Sequence, residues 1–146
     1  MANRLFFGLL LAGVIAFVAG TTAQFDEMIR LTTFSYSLAN FTNYGCHCGP
    51  NTQGMVLDPV DRCCHEHDCC YNEAIMRGCN PTTQIYRFYA TEEKIKCIKS
   101  RNRCEKLVCE CDEEAADCFR KRIENYNLHF LNFTATPACR GPRPFC

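Results

Sequence analysis

The run Asp61-Arg-Cys-Cys-His-Glu-His-Asp-Cys-Cys-Tyr71 sets a histidine and an aspartate side by side between two cysteine pairs. His67 offers an imidazole nitrogen that can take a proton near neutral pH. Asp68 offers a hard carboxylate oxygen of the kind calcium prefers. The four flanking cysteines can pin the segment to distant parts of the chain. On a helix, Cys63, His67 and Cys70 share a face, Tyr71 lies one turn beyond His67, and Asp68 projects about 100° away from the histidine. The two groups can therefore serve different partners. A second acid, Asp112, directly follows Cys111, so a bridge from Cys111 to this helix would carry its carboxylate towards His67. A buried carboxylate that holds one ring nitrogen leaves the other free as a general base. Charge pattern alone favours a different reading of Glu110, Asp112, Glu113 and Glu114, as a solvated acidic face.

These groups need rigid elements to place them. Asp58-Pro59 is a capping carboxylate followed by proline at the first helical position. The helix bearing His67 should run from there to about Arg77, where Gly78 stops it. Before it, Tyr44-Gly-Cys-His-Cys-Gly-Pro-Asn-Thr-Gln-Gly54 is too rich in glycine, proline and cysteine for a helix and reads as an ordered loop. A first helix spans Phe25 to about Asn40 with two apolar stripes, Phe25, Met28, Ile29 and Leu31, Phe34, Leu38, Phe41. Either both stripes are core, or one is offered to a partner. Gln84 to Ile98 alternates and is rich in Tyr, Phe and Ile, with Ala90-Thr91-Glu92-Glu93 as a polar break, which predicts a short antiparallel pair of strands. Arg103 to about Asn125 reads as a third helix, with Leu107, Cys111, Ala115, Cys118 and Phe119 on one face. The tail from Asn127 is irregular and ends in Cys139-Arg-Gly-Pro-Arg-Pro-Phe-Cys146.

After Arg4, Leu5 to Ala19 are almost wholly apolar and lead to Gly20, Thr21 and Thr22, the layout of a cleaved secretory leader. A spanning helix needs roughly 20 apolar residues, and this run turns polar sooner. The reading is a leader over residues 1–20 and a mature domain over 21–146. All 14 cysteines follow the leader, an even number in a small exported chain, which predicts seven disulfides. A zinc domain fits poorly, because Cys46-x-Cys48 and Cys109-x-Cys111 lack the usual Cys-x-x-Cys repeat. Lys and Arg number 16 against 16 Asp and Glu. No global field draws this chain to nucleic acid. Lys94, Lys96, Lys99, Arg101, Arg103 and Lys106 could form a basic patch, but the interspersed Glu92, Glu93 and Glu105 favour a solvated face.

Three segments carry a family resemblance that spans the mature chain. Tyr44-Gly-Cys-x-Cys-Gly, Asp61-x-Cys-Cys-x-x-His-Asp-x-Cys-Tyr71 and Cys109-x-Cys-Asp-x-x-Ala-Ala-x-Cys-Phe119 together resemble the secreted, calcium-dependent phospholipases A2. Cys69 and Cys146 resemble the group II disulfide framework. That framework implies the pairs Cys46 with Cys139, Cys48 with Cys64, Cys63 with Cys118, Cys69 with Cys146, Cys70 with Cys111, Cys79 with Cys104, and Cys97 with Cys109. The implied fold is mainly α and disulfide-rich, with two long antiparallel helices, an N-terminal helix, a calcium loop and a small two-stranded β-wing.

The resemblance also implies site roles. Asp68 and the backbone carbonyls of His47, Gly49 and Asn51 would hold Ca2+, and His67 would activate the water that attacks the sn-2 ester of a phospholipid. Asp112 would orient His67, held in turn by Tyr71 and Tyr86; the Gly49 N–H would serve the oxyanion; Phe25 and Ile29 would line the acyl channel. Other segments, including Gln24-Phe-Asp-Glu-Met and Ala138-Cys-Arg-Gly-Pro-Arg-Pro-Phe-Cys146, resemble the amphibian otoconin branch, glycoproteins of calcium carbonate ear crystals. The sequons Asn40-Phe-Thr and Asn132-Phe-Thr suit such a glycoprotein. Two functions follow: an extracellular lipase working at a phospholipid membrane surface or micelle, and a matrix protein on calcium carbonate mineral. Two departures bear on them. Enzymes of the family usually carry paired glycines where this chain has Asn51 and Thr52, and a β-branched threonine tolerates positive φ poorly. The absence of tryptophan and the near-zero charge predict weak interfacial attachment.

Overall fold

A computed structural model describes residues 21–50, 52–91 and 94–146. Residues 1–20, the segment expected to be a leader, and Asn51, Glu92 and Glu93 lie outside the described residues. Among the described residues, four α-helices and one small sheet form in the order α1 (Thr21–Thr33), α2 (Leu38–Phe41), α3 (Pro59–Met76), β1 (Phe88–Ala90), β2 (Ile95–Cys97) and α4 (Arg103–Arg122). The long first helix expected to reach Asn40 is instead broken into α1 and α2. Phe34 takes a left-handed φ of 60°, and the chain turns there before Ser37 caps α2. The second stripe divides at this break. Phe25, Met28 and Ile29 of the first stripe are buried, as is Phe41 of the second, whereas Leu31 is 43% and Phe34 83% exposed.

α3 begins as its sequence dictates. The Asp58 carboxylate accepts from the Asp61 N–H at 2.7 Å, satisfying one of the donors a helix start leaves unpaired, and Pro59 follows it. α4 is capped in the same way by Asn102, whose side chain accepts from the N–H groups of Cys104 and Glu105. Arg120, Lys121 and Arg122 crowd its last turn, where the helix dipole favours cations.

The seven expected disulfides all form, with the expected pairing. Two of them set the relation of the long helices. Cys63 joins Cys118 and Cys70 joins Cys111, so numbers rise along α3 as they fall along α4, and the helices lie antiparallel. α1 packs on α4, and the β1–β2 wing, in the register Phe88 with Cys97, is stapled to α4 by Cys97–Cys109. The core between these elements holds Met28, Ile29, Phe41, Tyr44, Val60, Tyr86, Val108, Ala116 and Phe119. After α4 the tail winds through short 3-10 turns and is tied back by Cys46–Cys139 and Cys69–Cys146. Of the six basic residues between Lys94 and Lys106, Lys96 pairs with Glu113, Lys106 lies 3.9 Å from Glu110, and Arg103 donates to the Arg77 carbonyl. Half of that set is thus engaged locally.

Candidate active site and its supporting loop

The two staples between α3 and α4 flank the pair they were expected to bring together. His67 Nε2 lies 2.7 Å from Asp112 Oδ1, and Asp112 is fully buried. The same oxygen accepts from the Tyr71 hydroxyl at 2.7 Å, and Oδ2 accepts from Tyr86 at 2.6 Å. Asp112 is therefore no member of a solvated acidic face. A buried carboxylate needs such donors, because an unpaired charge in the interior is strongly disfavoured. Burial, together with the charge and hydrogen bond of Asp112, pushes the Tyr86 phenol far above its usual range, so it remains a donor. With Nε2 engaged by the acid, the neutral imidazole carries its proton there, and Nδ1 is the nitrogen left to act as a base.

Phe25 stacks on the His67 ring at 4.5 Å with an interplanar angle of 21°, and Tyr71 lies against it at 4.2 Å. The imidazole is thus held by a hydrogen bond at one edge and by rings on its faces. It borders a cavity of about 240 Å³ lined by Phe25, Leu38, Phe41, Phe119, His47, Gly49 and Asp68 among others. The apolar wall suits an acyl chain. Ile29 is fully buried in the core and is not among the lining residues; Leu38, Phe41 and Phe119 take that place.

The loop before α3 owes its shape to Asp61, whose role the motif alone did not reveal. This fully buried carboxylate accepts from the N–H groups of Cys46 at 3.2 Å, His47 at 2.8 Å and Leu57 at 3.0 Å. Gly45 is required beside it: φ is +59°, and a Cβ there would come within 2.3 Å of the Asp61 carboxylate. His47 braces the far side of the loop. Its buried ring places Nε2 3.0 Å from the Gly54 carbonyl. No sequence signal marked either task, since both depend on where the loop folds back.

His47, Gly49 and Asp68 line the same cavity as His67. A carboxylate with backbone carbonyls is a set of hard oxygen donors, which fits calcium and poorly suits a softer metal. All described cysteine sulfurs are committed to disulfides. The site residues therefore fit Ca2+, with Asn51 outside the described set. Thr52 does not take a left-handed backbone: the positive-φ residues other than glycine are Phe34, Asn43 and Asn132 among those described. Its hydroxyl instead donates to Asp68 Oδ2 at 3.0 Å, and Arg143 Nη2 lies 3.8 Å from the same oxygen. Burial pushes the Asp68 carboxyl up, against the Thr52 hydrogen bond and the nearby positive charges that pull it down.

Both sequon asparagines are exposed. Asn40 accepts through Oδ1 from the backbone and hydroxyl of Ser37, and Asn132 sits at φ 59°. No helix among the described residues is long and apolar enough to cross a membrane.

Known proteins are similar to this chain in sequence. The family model for phospholipase A2 matches residues 22–130. Otoconin-22 of Xenopus laevis, described as a phospholipase A2 homolog, is 65% identical over 127 residues, covering 86% of this chain and 100% of the relative. The membrane-associated phospholipase A2 of Cavia porcellus is 42% identical over 127 residues, or 87% of either chain. The group IIE secretory phospholipase A2 of Homo sapiens is 38% identical over 133 residues, covering 91% of this chain and 92% of its own. A helix pair stapled around His67 and Asp112, with matches of this extent to enzymes and to an otoconin alike, makes the chain a member of the phospholipase A2 family, on its otoconin-like branch.

Proposed function

We propose that the protein is a secreted, calcium-dependent phospholipase A2 that hydrolyses the sn-2 ester of phosphoglycerides. The observation that carries this reading is the hydrogen bond from His67 Nε2 to the buried Asp112, with the ring bordering an apolar cavity. His67 Nδ1 takes a proton from water, and the resulting oxygen nucleophile attacks the ester carbonyl carbon. Asp112 keeps the imidazole in the required tautomer and balances the positive charge it gains. The Gly49 N–H donates to the carbonyl oxygen as negative charge develops there. The carbon–oxygen bond to the glycerol then breaks, and the departing oxygen recovers the proton from His67. No acyl-enzyme forms. Asp68 and the backbone carbonyls of His47, Gly49 and Asn51 would hold calcium, which would supply Lewis-acid chemistry at that carbonyl. Phe25, Leu38, Phe41 and Phe119 offer the acyl chain an apolar wall.

Release of the sn-2 fatty acid from phospholipid vesicles, with and without calcium, tests the assignment. His67→Gln should lower kcat at least a thousandfold while leaving the melting temperature unchanged. Equal release by the variant would remove His67 as the base.

A second reading is a glycoprotein of calcium carbonate crystals, with glycans on Asn40 and Asn132. It is favoured by the 65% identity to otoconin-22 and by the exposure of both sequons. The two roles are compatible, yet a purely structural protein has no chemical need for a cleft histidine held by a buried acid. Growth of calcium carbonate with the purified protein separates them. A mineral protein is retained on the crystals and changes which polymorph forms; one that stays in solution is not.

A further inference from the structure

The calcium carboxylate is shared with a cation that the chain supplies itself. Arg143 belongs to the C-terminal tail, far from α3 in sequence, and four ties hold its segment beside Asp68. Cys146 is bonded to Cys69, the residue next to Asp68, and Cys139 to Cys46. Between these staples the Gly141 carbonyl accepts from the Gly54 N–H at 3.2 Å, and the Phe145 carbonyl lies 3.4 Å from His65 Nε2. Gly54 allows this approach, since a Cβ there would fall 2.7 Å from the backbone of Cys139. The tail is thereby laid against the loop on both sides of Arg143.

The guanidinium has little else to engage. Nε and Nη2 of Arg143 are both buried and have no hydrogen-bond partner among the described residues. Nη2 lies 3.8 Å from Asp68 Oδ2, the oxygen that also accepts from Thr52. We propose that Arg143, with the Thr52 hydroxyl, is a built-in competitor for Asp68 that weakens calcium binding and sets the calcium concentration at which the site fills. This rests on the reading of Asp68 as the calcium carboxylate. The physical basis is twofold. A guanidinium a few ångströms from the carboxylate neutralises charge that a divalent ion needs, and it repels that ion through a partly desolvated path. The Thr52 hydroxyl also draws electron density from an Asp68 oxygen that the ion would use. Affinities of oxygen-rich calcium sites span many decades with ligand charge and rigidity, and sites of extracellular modules fall at about 0.1–1 mM.

Calorimetric calcium titration of the full mature protein tests this directly, with Arg143→Gln and Arg143→Lys beside the unmodified chain. Arg143→Gln should bind calcium about tenfold more tightly, because it removes one positive charge that repels the divalent ion at close range. Arg143→Lys, which keeps the cation, should stay within about twofold of the original. Melting curves give a second readout. Without calcium, Arg143→Gln should melt at or below the original, and calcium should raise its melting temperature by more. A merely structural tail contact would lower both melting temperatures together and leave affinity unchanged or weaker. Equal or weaker calcium binding by a folded Arg143→Gln overturns the proposal while leaving Asp68 as the calcium ligand. Absence of binding at millimolar calcium in all three proteins defeats the calcium assignment itself, and the Arg143 proposal with it.

Discussion

Replacing Asp112 by asparagine and by alanine separates what its shape does from what its charge does. In the structure Oδ1 accepts from His67 and Tyr71, while Oδ2 accepts from Tyr86. Asparagine fits if its carbonyl oxygen keeps the His67 and Tyr71 side and its amide faces Tyr86. The Tyr86 hydroxyl can then accept from that amide and turn its own proton to Met28 Sδ, 3.9 Å away. His67 keeps its tautomer, and only the negative charge is lost. Hydrogen bonds to charged groups contribute about 1.5–3 kcal/mol, against roughly 0.5–1.5 for neutral ones. The imidazolium formed in the transition state thus loses about 1–1.5 kcal/mol, a fall in kcat of about tenfold. Alanine strands the buried Tyr86 hydroxyl and the His67 N–H together, at a cost of about 3–5 kcal/mol in stability, and frees the ring to rotate. Its kcat should fall by about a hundredfold or more beyond the asparagine variant. Fatty acid release from vesicles at saturating calcium, with melting curves on the same samples, gives both quantities. Equal rates for two folded variants would refute the idea that orientation of the ring is what the acid contributes.

Two further outcomes follow from the loop and from Asp68. Asp61→Ala leaves the buried N–H groups of Cys46 and His47, and that of Leu57, without their acceptor, so it should cost about 3 kcal/mol or more and abolish calcium binding measured by calorimetry. Because burial raises the folded-state pKa of Asp68, its ionised form costs stability above that pKa, and its protonated form, dominant below, cannot hold calcium. Calcium affinity should therefore be full at about pH 7–8 and fall, as the solution is acidified, at a higher pH than an ordinary aspartate would dictate; titration from pH 7.5 downwards reads this, and an onset only in the ordinary carboxylate range would contradict it.

The sequence by itself determined the elements whose signals are local. Asp58-Pro59 and Gly78 bound α3, alternation with a polar break marked the wing, and the spacing of Cys63, His67 and Cys70 put chemistry and staples on one helical face. The disulfide pairing came through the resemblance to a known family, since 14 cysteines leave many pairings open on spacing alone. What escaped a local reading was long-range. The left-handed turn at Phe34, which divides the expected first helix, is set by packing and caps around residues 34–38 and not by any break in the apolar pattern. Only the folded chain decided that Asp61 would gather loop amides, that Phe25 would stack on His67 while Ile29 sank into the core, and that Asp112 would be buried although its neighbours are acidic. Thr52 and Arg143 meet at Asp68 for the same reason. A carboxylate, a hydroxyl and a guanidinium carry no sign in one dimension of whom they will face; that depends on the distances at which disulfides and a closed loop finally hold them.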